Sequence, residues 1–194
     1  MKTFYKIEEL PRQCKRAVFR VPTKRGDQFL RTEYVSSEFS VVEVDAEYLL
    51  ELWRNDTDED YFELAHGNPG TWRKCQEFHE AGNCFAHGQS KPVPLAFIYC
   101  DIRDEMKDVW KRRFIFLKEH MGRKVVKRTP YIGFTVGVTQ TIWLLTYGAK
   151  CLPVMCRTEN AELLQLMAGL PDGKPHTIKD LLESESEEIN TVHT

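Results

Sequence analysis

With 194 residues, 42% of them hydrophobic and 29% charged, the chain can bury one core of its own. Its 27 Lys and Arg nearly balance 29 Asp and Glu, a formal charge of -2, which excludes a whole-molecule attraction to nucleic acid or membrane and confines any such role to a local patch. No apolar run approaches the roughly 20 residues that span a bilayer, and MKTFYKIEEL lacks the apolar segment of a signal peptide, so a soluble, cytoplasmic protein is expected.

In chain order, Ala17 to Val21 and Gln28 to Val35 read as two short strands, joined by the turn residues Lys24, Arg25, Gly26 and Asp27. Ser40 to Val44 is a third strand. Asp45 then caps a helix from Ala46 to about Arg54, with Tyr48, Leu49, Leu52 and Trp53 on one face. The acidic stretch Asn55 to Glu63 reads as a solvated loop. After the turn cluster His66 to Gly70, Thr71 is expected to cap a helix that carries Trp72, Cys75, Phe78 and His79 on one face and ends at Gly82-Asn83. Pro92 to Cys100 is a strongly apolar strand whose prolines suit its start or an edge.

From 103 to 128 the character changes. Lys107, Lys111, Arg112, Arg113, Lys118, Arg123, Lys124, Lys127 and Arg128 crowd together, with Phe114 to Leu117 as a short strand or helical turn among them. Tyr131 to Val136 is a strand, Gly137 a turn, and a helix follows to Gly148. A further strand, Cys151 to Cys156, precedes an amphipathic helix from about Glu159 to Ala168. Residues 181–194 read as an acidic tail too poor in apolar side chains to pack, and expected to be disordered. The six cysteines, at 14, 75, 84, 100, 151 and 156, read as reduced thiols.

Three groups of residues carry candidate chemistry. Cys75, His79, Cys84 and His87 are a zinc-type ligand set, but their C-x3-H-x4-C-x2-H spacing matches no common zinc module, and no metal site is assigned. The basic stretch, with Trp110, Phe114 and Phe116 interleaved, is the raw material of a phosphate-tracking surface; a solvated face or one that meets an acidic protein is the alternative. The turn Thr135 to Thr141 offers free N–H groups at a helix start, a glycine that permits close approach, and hydroxyl and amide side chains, or it is a plain strand-to-helix turn. The glycine-rich phosphate-binding loops, the nucleophile elbow and the H-E-x-x-H zinc helix are absent.

Phe134-Thr135, Gly137, Gly148-Ala149, Pro153-Val154 and Gly169, with Pro92 to Ala96 following Trp72, Phe78, Gly82 and Gly88, resemble the landmarks of the plasmid fertility inhibition factors over about residues 40 to 170. The resemblance implies an α+β fold of the ParB and sulfiredoxin type: one compact domain, residues 1–180, with a mixed sheet and flanking helices. It implies a factor that stops export of another plasmid's DNA, or of T-DNA, through a type IV secretion channel by ATP-linked DNA binding and degradation. It further implies ATP and Mg2+ as cofactors. The implied partners are the relaxase-bound strand and the coupling protein or relaxase, at the inner face of the inner membrane. Nucleotide would be held near Lys91, Thr135, Gly137, Thr139 and Gln140, and DNA by Lys111, Arg112, Arg113, Arg123, Lys124, Lys127 and Arg128.

One departure stands out. Where the family turn has arginine and histidine after its glycine, this chain has Val138, Thr139, Gln140 and Ile142. Those groups cannot neutralise phosphate, and removing one charge-assisted hydrogen bond to phosphate costs on the order of 2 to 3 kcal/mol. Charge would have to come from Lys91 or the basic stretch. Otherwise the protein is a non-catalytic binding module that blocks the coupling protein or relaxase. No catalytic residue is identifiable.

Overall fold

Alternation builds the first of two sheets. In Cys14–Thr23 (β2), Ala17, Phe19 and Val21 point into the core while Arg20 and Pro22 point out. β2 turns through Lys24 and Arg25 into Gly26–Arg31 (β3), with Thr23 opposite Gly26. The structure is a computed structural model; it describes residues 1–11, 14–33, 36–57, 59–112 and 118–183, at 59, 112, 118 and 119 the backbone alone. Tyr34 and Val35, expected to end the second strand, lie outside these residues.

A strand not expected from the sequence, Phe4–Leu10 (β1), pairs antiparallel with β2. It lacks a clean alternation because it is an edge strand, half-buried at Phe4, Lys6, Ile7, Glu8 and Leu10 with Tyr5 and Glu9 exposed, and held by Lys6–Glu8 and Arg16–Glu8 ion pairs at 2.9 and 2.6 Å. The apolar run expected to form one strand, Pro92 to Cys100, is shared between two sheets. Val93–Pro94 (β5) closes the first sheet beside β3, giving the order β1-β2-β3-β5. Phe97–Arg112 (β6) belongs to the second sheet, ordered β7-β6-β8-β4-β9.

The second sheet holds Phe39–Asp45 (β4), β6, Lys118–Val136 (β7), Cys151–Arg157 (β8) and His176–Thr177 (β9). β4 is covered on both faces, so Val41 to Val44 reads as an apolar run broken by one acid, Glu43, which is itself buried. Pro153 is tolerated in β8 because β6 joins that strand only at Met155, opposite Phe97.

Asp45 caps Ala46–Arg54 (α1) as expected, its carboxylate accepting from the N–H groups of Glu47 and Tyr48. The buried stripe of α1 is Ala46, Leu49, Leu52 and Trp53; Tyr48 is exposed. The acidic stretch is not a free loop. It contains a 3-10 turn, Glu59–Tyr61, and a short helix, Phe62–Ala65 (α2), and Asp56 meets Arg103 at 3.9 Å.

Asn68, not Thr71, caps Pro69–Trp72 (α3): its side chain accepts from Gly70 and Thr71 while Thr71 Oγ1 accepts from the Asn68 N–H. Gln76–Phe85 (α4) then runs straight through Gly82 and Asn83. Gly82 serves packing instead of termination, since a Cβ there would sit 3.0 Å from Trp143 Nε1. Val138–Thr146 (α5) follows β7, and Thr158–Ala168 (α6) follows β8.

β7 is antiparallel to β6, and β6 is parallel to β8, so the strand–helix–strand unit from 131 to 157 joins antiparallel strands. The fold is therefore α+β. Residues 178–183 are helical, and Leu181 and Leu182, expected to begin the tail, are buried in the core. The remainder of that tail, from 184, lies outside the described residues. Among the described residues no helix is long and apolar enough to cross a membrane.

Burial also sorts the cysteines, all of them free. Burial, with a small push from Asp101, raises the Cys100 thiol to about 11, and burial raises Cys151 and Cys156 to about 12. At pH 8 the Cys100 thiolate fraction is then roughly one in a thousand or lower. Iodoacetamide at that pH should label the exposed Cys14 and Cys84 first and leave Cys100, Cys151 and Cys156 unmodified until unfolding. Peptide mass mapping that found Cys156 labelled as fast as Cys84 would contradict the buried strand positions.

Candidate functional site

Two surfaces carry the residues singled out from the sequence. The first is the turn from β7 into α5. Gly137 sits there with φ of 91°, in the left-handed region. Its missing side chain is required by the fold: a Cβ would lie 2.6 Å from the Ala96 Cα. The close approach that glycine permits is therefore to the strand-joining segment before β6. α5 starts without a side-chain cap. Thr141 donates its hydroxyl back to the Gly137 carbonyl at 2.8 Å, and Thr139 donates to Gln140 Oε1 at 3.1 Å.

Thr135, Gly137, Thr139 and Gln140 do come together, lining one side of a cavity of about 590 Å³. Asp60, Tyr61, Leu64, Cys75 and Glu77 form the other side. This wall, which α2 and the start of α4 bring to the turn, was not identified from the sequence. Nothing in an acidic surface stretch signals that it folds back on a turn more than 60 residues later. Among the described lining residues there are two carboxylates and no Lys or Arg. A nucleotide triphosphate needs cations to offset its charge, and this wall does not supply them.

Lys91, the expected source of that charge, faces elsewhere. It lines a smaller cavity of about 230 Å³ with Arg31, His87 and Cys84, which touches the turn only through Gln140. The four residues of the zinc-type set are divided in the same way. Cys75 is on the large cavity, Cys84 and His87 are on the small one, and His79 is exposed on α4. Among the described residues no three His, Cys, Asp or Glu side chains gather as a metal site.

The second surface is the basic stretch, which is a β-arm. β6 and β7 pair from Phe97–Val136 out to Arg112–Lys118, with register shifts at Phe97/Ile98, Glu105/Met106 and Asp108/Trp110, well beyond the single Phe97–Met155 contact with β8. Pairing imposes two faces. On one, Arg128 meets Asp104 at 3.1 Å, and Arg123 and His120 meet Asp108 at 3.0 and 3.2 Å. The hydrogen bonds from His120 and Arg123 hold the Asp108 carboxyl below the usual range.

On the other face Lys107 stands directly opposite Lys124, and Lys127 opposite Glu105. Among the described residues Lys107, Lys111, Lys124 and Lys127 are exposed and in no ion pair. Of the residues expected to contact DNA, Lys111, Lys124 and Lys127 share this lysine face, whereas Arg123 and Arg128 are on the opposite one, already paired to aspartates. Arg113 and Phe114 to Leu117, and the side chains of Arg112 and Lys118, lie outside the described residues.

A family model described as plasmid fertility inhibition factor matches residues 41–169. That span takes in the turn, both cavity walls and the arm. Among solved structures, the chain is similar to the oncogenic suppression activity protein, a plasmid fertility inhibition factor crystallised as a gold(I) cyanide derivative. The identity is 20%, over 95% of this chain and 85% of that one, with a TM-score of 0.67. That likeness is one of fold. No curated protein matches the sequence.

Proposed function

The chain belongs to the plasmid fertility inhibition factor family, and from that premise we propose that it suppresses export of another plasmid's DNA through a type IV secretion channel by contacting that DNA with the lysine face of its β-arm. The observation that carries this reading is the cross-strand pair Lys107–Lys124. Like charges directly opposite each other destabilise a β-ribbon. An exposed lysine row that forms no ion pair among the described residues gains by meeting a polyanion, whose bound counterions are released.

The Gly137 cavity supports this contact role over chemistry, because its wall does not match a triphosphate. ATP-linked degradation is the competing reading of the same family. A Mg2+-nucleotide would supply the electrostatic stabilisation that phosphodiester cleavage needs.

One experiment separates the readings. Wild-type protein and the Lys107→Glu/Lys124→Glu variant are titrated onto labelled single- and double-stranded DNA, with and without Mg2+ and ATP. Transfer of a co-resident plasmid is scored in parallel. The variant should bind at least about tenfold more weakly, with a shallower salt dependence, and should release transfer. Cleaved DNA together with ATP turnover would replace contact by degradation. Abolished DNA binding with transfer inhibition intact would move the action to the coupling protein or relaxase.

A further inference from the structure

We propose that Tyr99 is a base-contacting residue: towards the body of the protein, the lysine face of the arm ends in a platform of Tyr99 and Arg103 on which an unpaired nucleotide base stacks. The inference rests on the DNA-contact reading above and adds to it what that contact recognises. β6 alternates without a break, because each register shift falls on an extra residue of β7, so Phe97, Tyr99, Asp101, Arg103, Glu105 and Lys107 share one face. It is the face of the exposed lysines. The other side of β6 at the level of Tyr99 is core, where Ile98 and Cys100 are buried.

The core therefore does not use the Tyr99 ring. Its inner side lies across Gly133, its partner on β7, where a Cβ would overlap the ring at Cζ and Oη. Covering a strand glycine accounts for that side. It does not account for the outer side, which leaves Tyr99 37% exposed. Tyr131, on the same face, meets Tyr99 edge-on, with centroids 6.3 Å apart and planes at 84°. The Arg103 guanidinium in turn lies 4.6 Å from the centroid of the Tyr131 ring and donates to the Asn55 carbonyl at 3.2 Å. Ring and guanidinium are thus held by their neighbours before any ligand arrives. Tyrosine rings and arginine planes are groups on which proteins stack unpaired bases.

Charge grades along the face. Near the ring Asp101 and Arg103 offset each other, further out Glu105 stands opposite Lys127, and beyond them Lys107 and Lys124 are both cationic. Phosphates are drawn to the outer lysines and a base to the uncharged ring. The eight residues of β6 from Tyr99 to Lys107 span roughly 27 Å, a length that a single strand of several nucleotides covers. A duplex keeps its bases inside and offers this face only its phosphates. The ring therefore favours unpaired over paired DNA.

The test uses the full chain without Mg2+ and compares a labelled oligothymidylate with an abasic strand of equal length, which has the same phosphates and no bases. Wild type should bind the oligothymidylate about tenfold more tightly than the abasic strand. Tyr99→Leu, which keeps Gly133 covered but has no ring, should bind the two alike, with the salt dependence of wild type because no phosphate contact has changed. Tyr99→Phe should keep the tenfold preference. A strand carrying 5-iodouracil, irradiated with wild type, should cross-link to the peptide that contains Tyr99, a readout that needs no variant to fold. Lys107→Glu/Lys124→Glu should weaken both strands by the same factor. If that reversal weakens neither strand, the lysine-face reading fails and the platform with it. If it does weaken them, three results overturn the platform alone: equal binding of both strands by wild type, an unchanged preference in folded Tyr99→Leu, or cross-links only to other peptides.

Discussion

Gly137→Ala should lower the unfolding free energy by about 3 kcal/mol, of which roughly 1 to 2 kcal/mol is the left-handed backbone and the rest the overlap of a new Cβ with buried main chain. The geometry behind this is a φ of 91° and an approach of 2.6 Å to the Ala96 Cα, which the sheet cannot move aside. Gly26→Ala supplies the control. Its φ is 87°, but a Cβ there meets nothing within 4 Å, so only the backbone part, about 1 kcal/mol, is expected. Urea titrations of both variants isolate the contact with Ala96 as the difference. Equal losses would mean that the contact is absent, and would return Gly137 to the role of a glycine kept for a ligand. A large difference makes Gly137 a residue of the fold, consistent with a turn that has no arginine or histidine after it.

Glu43→Ala is the second large effect, at about 3 kcal/mol, because it leaves several buried donors without an acceptor. The Glu43 carboxylate, on β4 between β8 and β9, accepts from the Lys2 N–H at 2.8 Å, the Thr3 N–H at 2.5 Å and the Thr3 hydroxyl at 2.6 Å. Those bonds fasten the residues just before β1, in the first sheet, to β4 of the second. Thr3→Val removes one donor and should cost about 1 kcal/mol. The double variant should cost less than the sum of the two, since both act on one network. Hydrogen exchange locates the damage: amides from 4 to 10 should lose protection in Glu43→Ala while those of β8 keep theirs. If β1 stays protected, the carboxylate is not the latch between the sheets.

Where local chemistry decides structure, the sequence could be read. The β2–β3 hairpin, the Asp45 cap and the order strand, glycine turn, helix, strand, helix from 131 to 168 all depend on side chains within a few residues of one another. The misreadings have one physical origin. Gly82 looks like a helix stop, but it is a notch for Trp143, some 60 residues later in the chain. Asn55 to Glu63 looks like solvated loop, but Asp56 is tied to Arg103 and Asp60 walls a cavity with the Gly137 turn. β1 is half polar because an edge strand needs no apolar alternation, and its neighbour β2 supplies the pairing that defines it.

The candidate surfaces divide along the same line. The composition of the basic stretch alone marked it as unusual, and the residues after Gly137 alone showed that phosphate-neutralising groups are missing there. Which cations remain available was settled by strand register. A spacing of two along β6, with a register shift in β7 between Lys127 and Val125, puts Arg123 and Arg128 against aspartates and leaves Lys107, Lys124 and Lys127 on the opposite face. The sequence by itself therefore determined α1, α5 and α6, the β2–β3 turn, the altered turn and the existence of a charged segment, because these follow from neighbours in the chain. Only the tertiary structure decided that the segment is a two-faced arm, that Lys91 opens onto a different cavity from Gly137, and that Glu43 joins the sheets. Each of these depends on pairing between residues far apart in the chain, which the periodicity of one segment does not encode.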